Sequence, residues 1–388
     1  MNAPLFRLGL LLLASAGFSG APQTSTLSAA EAKAPGPASP ASARGATGGA
    51  TGYLTVAVPA RDTPVVLEEF INPGAPYPEC HASTMVEVSA GRLVAAWFGG
   101  TKERNPDVGI WVARQENGRW LPAAEVADGV QPAGPRLPTW NPVLFQAPGG
   151  PLWLFYKVGA SPSVWWGEVK TSTDGGVTWS VARKLPEGVL GPVKNKPVIL
   201  PDGTWLAGSS TEGNREGWLL HFERSRDAGA TWTKSAPVAK GPGFDAIQPS
   251  LLVHRDGAVQ AVGRTKQGVV FQTWSKDGGQ TWSALTATDL PNPNSGTDAV
   301  TLADGRHLLV YNHSGHRALE AKGDRYPLDV ALSADGITWR RVFTLESEPV
   351  VSGYAYPAVI QTSDGRVHVT YTFGRKQIKH VVLDPRKW

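Results

Sequence analysis

From about residue 64 onward the chain alternates short apolar runs with polar turns, and the runs are rich in β-branched and aromatic residues. Six times the same unit returns: a short β-rich run, a glycine, and a second such run. The glycines are Gly91 (EVSAGRLVAAW), Gly150 (FQAPGGPLWLFY), Gly203 (ILPDGTWLAG), Gly257 (LVHRDGAVQAVG), Gly305 (TLADGRHLLVY) and Gly365 (IQTSDGRVHVTY). A glycine between two such runs is a hairpin signal. The spacings are 59, 53, 54, 48 and 60 residues, close to the blade period of roughly 40–50 residues. No amphipathic helical run of useful length follows the first 35 residues. The pattern predicts an all-β protein, a six-bladed β-propeller.

A second repeat is interleaved with the first. The phrase Ser-x-Asp-x-Gly-x-Thr-Trp reads from Ser172 to Trp179, from Ser225 to Trp232 and from Ser275 to Trp282, and a shortened copy runs from Ser333 to Trp339. Its aspartates stand 53, 50 and 58 residues apart. The chemistry is that of a turn: Asp accepts from backbone N–H groups, Gly takes a positive φ, and the Trp ring buries itself to close the loop. These residues hold a fold together rather than catalyse.

The last unit supplies only three strands, over 355–361, 366–373 and 377–383, whereas an unattached strand-like run, 64–71, precedes the first unit. Pairing that run with the last strand closes the ring and hides an edge. Residues 1–20 read as an export signal, with Arg7 ahead of a short apolar run and small residues from Ala16 to Gly20; an uncleaved anchor is the other reading. Residues 21–52 are rich in Ala, Pro, Ser, Thr and Gly and read as a flexible tether, leaving 53–388 as the propeller. The expected location is periplasmic or secreted, as a monomer without a membrane span in the mature chain.

Composition narrows the function. Cys80 is the one cysteine, so no intrachain disulfide forms. The net charge of +4 is spread over scattered residues rather than Lys/Arg runs, which argues against a nucleic-acid partner. No metal box and no phosphate-binding glycine loop is present, so neither metal nor cofactor is expected. In a propeller the innermost strands surround a funnel, the usual place for a ligand. The residues opening those strands are Glu79, Cys80 and His81; Trp140 and Asn141; Lys194, Asn195 and Lys196; Gln248; Thr297 and Asp298; Tyr354 and Tyr356. Polar groups at all six openings point to a site.

Several longer phrases carry a resemblance: PYPECHASTMVEV, WFGGTKERNPDVGIW, GPVKNKPVIL, LPNPNSGTD and YAYPAVIQTSDGRVHVTYTFGRKQIKHVVL. With the repeated turn phrase, the Asp-box, they resemble the sialidase (neuraminidase) superfamily, in its predicted-neuraminidase branch with BNR repeats, over residues 65–385. The resemblance implies an exo-α-sialidase-like glycoside hydrolase acting on a glycan with a terminal acidic sugar. It implies Asp107 as acid/base, Tyr356 as nucleophile (with Tyr354 the alternative), and Arg264 and Arg325 as two of three carboxylate-binding arginines. Arg104, Lys196, Asn195 and Asp298 are further candidates for the pocket.

Two positions depart from the family pattern. Where its first arginine is expected the chain has Cys80, His81 and Ala82, and where the tyrosine's glutamate partner is expected, 16 residues before Arg264, it has Gln248. A glutamine cannot take a proton, so His81 or Asp298 becomes the candidate base, and His81 a candidate for the missing charge. The departures keep two other readings open. One is a propeller acting on another acidic sugar, such as a uronate, by hydrolysis or β-elimination with His81 as base. The other is a lectin-like propeller that binds carbohydrate without chemistry.

Overall fold

A computed structural model describes residues 63–388, except 214–215, 318–319 and 321. The readings placed on residues 1–20 and 21–52 lie outside the described residues. Each of the six hairpin glycines joins two antiparallel strands, and the hairpins become the inner halves of six antiparallel sheets. In blade I the turn at Gly91 links Glu79–Ser89 to Arg92–Gly100, and in blade IV that at Gly257 links Ala246–Val253 to Val259–Thr265. The protein is a six-bladed β-propeller. Blade VI is made of Tyr354–Gln361, Val367–Phe373 and Gln377–Leu383, with Val65–Phe70 as its outermost strand. The ring is thus closed by pairing the first strand with the last, in the register Val65↔Leu383 to Phe70↔Lys379. Glu69 fastens this strand further, accepting from Trp120 Nε1 of blade I at 2.8 Å and meeting His380 Nδ1 at 2.9 Å.

The apolar core is divided into wedges between neighbouring blades, because each sheet presents its two faces to two neighbours. Val94 and Ala96 of blade I meet Leu144 and Leu154 of blade II; Leu206 and Phe222 of blade III meet Val259 and Phe271 of blade IV. The closing wedge sets Met85 and Trp97 of blade I against Ile360 and Ile378 of blade VI. Fully burying one such side chain contributes about 1.5–3 kcal/mol.

The Asp-boxes pin these wedges from outside. In the second copy Thr231 donates to Asp227 through its N–H (2.8 Å) and its hydroxyl (2.6 Å), and Gly229 N donates to Ser225 Oγ at 2.7 Å. A Cβ on Gly229 would come within 2.8 Å of Trp205 and 3.1 Å of Trp153, so only glycine lets this turn settle between blades II and III. In the third copy Trp282 stacks on Phe222 of the preceding blade, centroids 3.6 Å apart.

Candidate active site

One backbone device aims side chains at the funnel axis. The innermost strands of blades I, II, IV and VI each carry a one-residue bulge, between His81 and Thr84, Trp140 and Val143, Ile247 and Ser250, and Ala355 and Ala358. The first bulged residue has a positive φ each time: Ala82 (58°), Asn141 (39°), Gln248 (58°) and Tyr356 (53°). A residue other than glycine in that region costs on the order of 1–3 kcal/mol and tends to persist at functional sites. In three of the four a proline follows, Pro142, Pro249 or Pro357, which needs no ladder donor. Each bulged residue stands nine positions before its hairpin glycine, and so does Lys194 (φ 86°) of blade III.

The bulges bring Gln248 and Tyr356 together, with Arg264 across the blade IV hairpin. Arg264 Nη1 donates to the Tyr356 hydroxyl oxygen at 2.9 Å and lies 3.3 Å from Gln248 Oε1, while its Nε donates to Asn294 Oδ1 at 3.0 Å. Because guanidinium only donates, Gln248 must turn its oxygen to Arg264 and its NH2 to Tyr356, and Gln248 Nε2 does lie 3.2 Å from that hydroxyl. Gln248 therefore donates to the phenol oxygen and cannot receive its proton.

Further cations surround the same ring. The guanidinium carbons of Arg264 and Arg325 lie 5.8 and 5.9 Å from its centroid, and Lys194 Nζ lies 5.7 Å away. Lys194 is buried and donates to Asn195 Oδ1, Thr297 O and Pro357 O at 2.6–2.7 Å, three acceptors for the three N–H bonds of an ammonium. Burial pulls it down to about 7, helped by Lys196 and Arg264 and opposed by Asp298. Burial likewise draws Arg325 down to about 10, Tyr356 opposing and Arg264 and Arg375 adding to the fall; it stays charged at neutral pH. His81 packs against Tyr356 with centroids 4.2 Å apart. Its Nδ1 meets Thr372 Oγ1 at 3.0 Å, and its buried Nε2 has no partner among the described residues. Burial, then the charges of Arg375, Arg325, Arg264 and Lys194, hold it well below the usual histidine range. The imidazole is neutral and brings no positive charge to the site.

The other sequence candidates lie in two places. Asp298, Lys196 and Asn195 form a clasp between blades. Asp298 accepts from Lys196 Nζ (2.9 Å), Ser250 Oγ (2.9 Å) and Val359 N (2.8 Å), and Asn195 Nδ2 donates to Gln248 O at 2.9 Å. With its oxygens so engaged, Asp298 is a tie between blades III, IV, V and VI rather than a base for Tyr356. Asp107 and Arg104 sit on the exposed loop after Arg92–Gly100. Burial pushes the Asp107 carboxyl upward, but the Thr101 hydroxyl (2.6 Å) and N–H (2.8 Å), with Arg136 nearby, outweigh it and hold Asp107 below the ordinary range. Tyr354 points elsewhere, donating to Glu348 O at 2.6 Å.

Three charged residues of this region escape the sequence reading. Arg375, at the turn between Val367–Phe373 and Gln377–Leu383, forms an ion pair with Glu103 of the blade I loop, and its charge acts on both His81 and Arg325. Glu212, at the end of Trp205–Gly213, is pushed above its ordinary range by burial, against Arg264, Lys266 and Arg104 and with Glu103. The X-Pro pair nine and eight residues before a hairpin glycine marks Asn141, Gln248 and Tyr356, but no such motif marks these three.

Six blades, a closing first strand and Asp-box turns define a propeller of the sialidase type. The chain belongs to the BNR repeat-like domain family, whose pattern matches residues 91–369, more than half of its length. No curated protein sequence matches it. Among solved structures it is similar to a protein of unknown function from Dyadobacter fermentans, with TM-score 0.68 and 20% identity over 84% of this chain and 99% of that one. A Hadza microbial sialidase superposes with TM-score 0.69 and 14% identity, over 83% of this chain and 69% of the other. The intramolecular trans-sialidase of Ruminococcus gnavus gives 0.65 and 13%, over 82% and 97%. At these identities the likeness is one of fold.

Proposed function

We propose that this propeller is an exported glycoside hydrolase of the sialidase type, removing a terminal acidic sugar from a glycan. The observation that carries the reading is the Tyr356 hydroxyl, held by Arg264 and Gln248 inside a ring of cations from blades III, IV and V. Guanidinium forks suit a carboxylate, and Arg264 and Arg325 would bind that of the sugar. Arg375 would complete the set once the incoming carboxylate displaces Glu103. It would replace the arginine missing at His81, whose neutral ring cannot.

In this mechanism Tyr356 Oη attacks the anomeric carbon as the bond to the leaving oxygen breaks, and Asp107 gives that oxygen a proton. Water, deprotonated by Asp107, then attacks the anomeric carbon as its bond to Tyr356 Oη breaks, the phenolate recovers its proton, and the sugar leaves with retained configuration. With Gln248 unable to accept, the phenol proton goes to the bare Nε2 of His81, directly or through one water. The neutral pair of Gln248 and His81 favours a second reading, β-elimination on a uronate with His81 or Tyr356 as base.

The test is a panel of aryl glycosides and oligosaccharides of sialic and uronic acids, with NMR of the first-formed product. A retained free acidic sugar supports the hydrolase, and an unsaturated uronate supports elimination. Binding without turnover across the panel leaves the lectin-like reading in possession.

A further inference from the structure

The two bulges that bring Gln248 and Tyr356 together are both gripped from a third blade. Lys194 Nζ of blade III donates to Pro357 O, the carbonyl directly after Tyr356, at 2.6 Å. The next residue, Asn195, donates through Nδ2 to Gln248 O at 2.9 Å. Lys194 Nζ also donates to Asn195 Oδ1 at 2.7 Å. An ammonium only donates, so this bond fixes which end of the Asn195 amide faces Gln248. The third N–H goes to Thr297 O, at the entry to blade V, at 2.7 Å.

We infer that Lys194 is a positioning residue: from blade III it sets the bulges of blades IV and VI against each other, through Pro357 O directly and through Gln248 O by way of Asn195. That this serves turnover rests on the proposed function. Three observations support it. First, the three N–H bonds of the ammonium meet three protein acceptors, which leaves none for a ligand. Second, space is kept for this side chain beside the tyrosine. A Cβ on Gly296 would lie 2.9 Å from Lys194 Cε and 3.3 Å from Tyr356 Cδ2, so glycine there lets the two run side by side. Third, Lys194, Gln248 and Tyr356 all have positive φ, at 86°, 58° and 53°. Such conformations persist only where the surroundings over-determine them, and these bonds supply that restraint. The grip also depends on the proton. Burial draws Lys194 down to about 7, with Lys196 of its own blade and Arg264 of blade IV adding and Asp298 of blade V opposing. His81 of blade I feels the same charge, and the Tyr356 ring of blade VI lies 5.7 Å from Nζ. A neutral amine has two N–H bonds for the three acceptors, so the hold on the bulges loosens as pH rises through neutral.

The test is NMR of the full chain carrying isotope-labelled tyrosine Cζ, a nucleus that senses hydrogen bonds at the phenol oxygen. Of the eight tyrosines, Tyr356 is the one whose signal Tyr356→Phe removes. As pH rises through about 7 the Tyr356 signal is expected to shift with the Lys194 proton. Lys194→Met, which fills similar space without the ammonium, is expected to abolish that titration. Asn195→Ala takes an acceptor from the charged form, so the midpoint should fall below that of wild type; it serves if Lys194→Met does not fold. A wild-type signal that stays flat, a titration that persists in Lys194→Met, or an unchanged midpoint in Asn195→Ala overturns the inference. The signal is read without substrate, so a chain that meets these expectations and cleaves no acidic glycoside loses the proposed function alone.

Discussion

Gln248 and Tyr356, 108 positions apart in the chain, meet at 3.2 Å with the amide as donor. Both come from bulged residues at the same place in their blades. Replacing Gln248 by Glu puts a proton acceptor where an amide now donates, beside Arg264. Under the tyrosine mechanism Gln248→Glu raises kcat on acidic aryl glycosides by about tenfold or more, since a positioned base contributes roughly 10²–10⁴-fold. Steady-state kinetics decide it, and a loss of activity would speak for the elimination reading.

Tyr356→Phe removes the attacking oxygen but keeps the ring among its cations. Turnover is expected to fall about 10³-fold or more, as for loss of a nucleophile, with the Kd of the free acidic sugar little changed. Calorimetry beside a rate assay separates the two quantities. A variant retaining full activity ends the tyrosine mechanism.

Arg264→Lys keeps the charge and loses the fork that reaches Tyr356 and Asn294. A charge-assisted hydrogen bond contributes about 1.5–3 kcal/mol. KM for the acidic sugar should therefore rise by tenfold or more, while a neutral glycoside in the same assay shows no comparable change.

The pH profile follows from Asp107. The hydrogen bonds from the Thr101 hydroxyl and N–H outweigh burial and hold its carboxyl below the ordinary value of about 3.9, so the free enzyme carries it ionised at neutral pH. An acid must be protonated to act, so kcat/KM on natural glycans should fall as pH rises from about 4 toward neutral. Substrates with good leaving groups need little proton donation, and their profile should lack this limb.

Asp227→Ala should lower the thermal midpoint without touching kcat of the folded fraction, because this turn lies outside the site. Hydrogen bonds from the Thr231 hydroxyl and N–H, then from Ser225, hold the Asp227 carboxyl at about 2. A depressed carboxylate stabilises the fold above its unfolded pKa, and that contribution disappears as pH falls through the folded value. The gap in midpoint between variant and wild type should thus be full above about 4 and vanish near 2. Scanning calorimetry across that range gives the answer.

The blades and their turns were legible because each hairpin glycine and each Asp-box is a local turn whose residue types state their own geometry. The polar residues opening the inner strands could be set side by side once the blades were aligned. What the sequence does not show is how each side chain turns. In Lys194-Asn195-Lys196 the first reaches under Tyr356 while the third reaches away to Asp298. Nor does it show the Arg375–Glu103 pair, since 272 positions separate residues that meet only when blade VI closes on blade I. The neutrality of His81 was hidden for the same reason: it depends on burial within the closed ring and then on charges delivered by four other chain segments.

The closing strand has a consequence for how the molecule is made. Glu69 and His380 are 311 positions apart, so blade VI cannot be a finished sheet until the chain's last strand has been synthesised. The other blades grow from neighbouring segments, whereas this pairing bears the loop-closure entropy of nearly the whole described chain. Docking of Val65–Phe70 is then expected late in folding. Until it occurs, the outer edge of Gln377–Leu383 is open to any strand that arrives first, including the same strand of another copy. Folding at high concentration should accordingly yield strand-exchanged dimers, whose share falls as the chain is diluted.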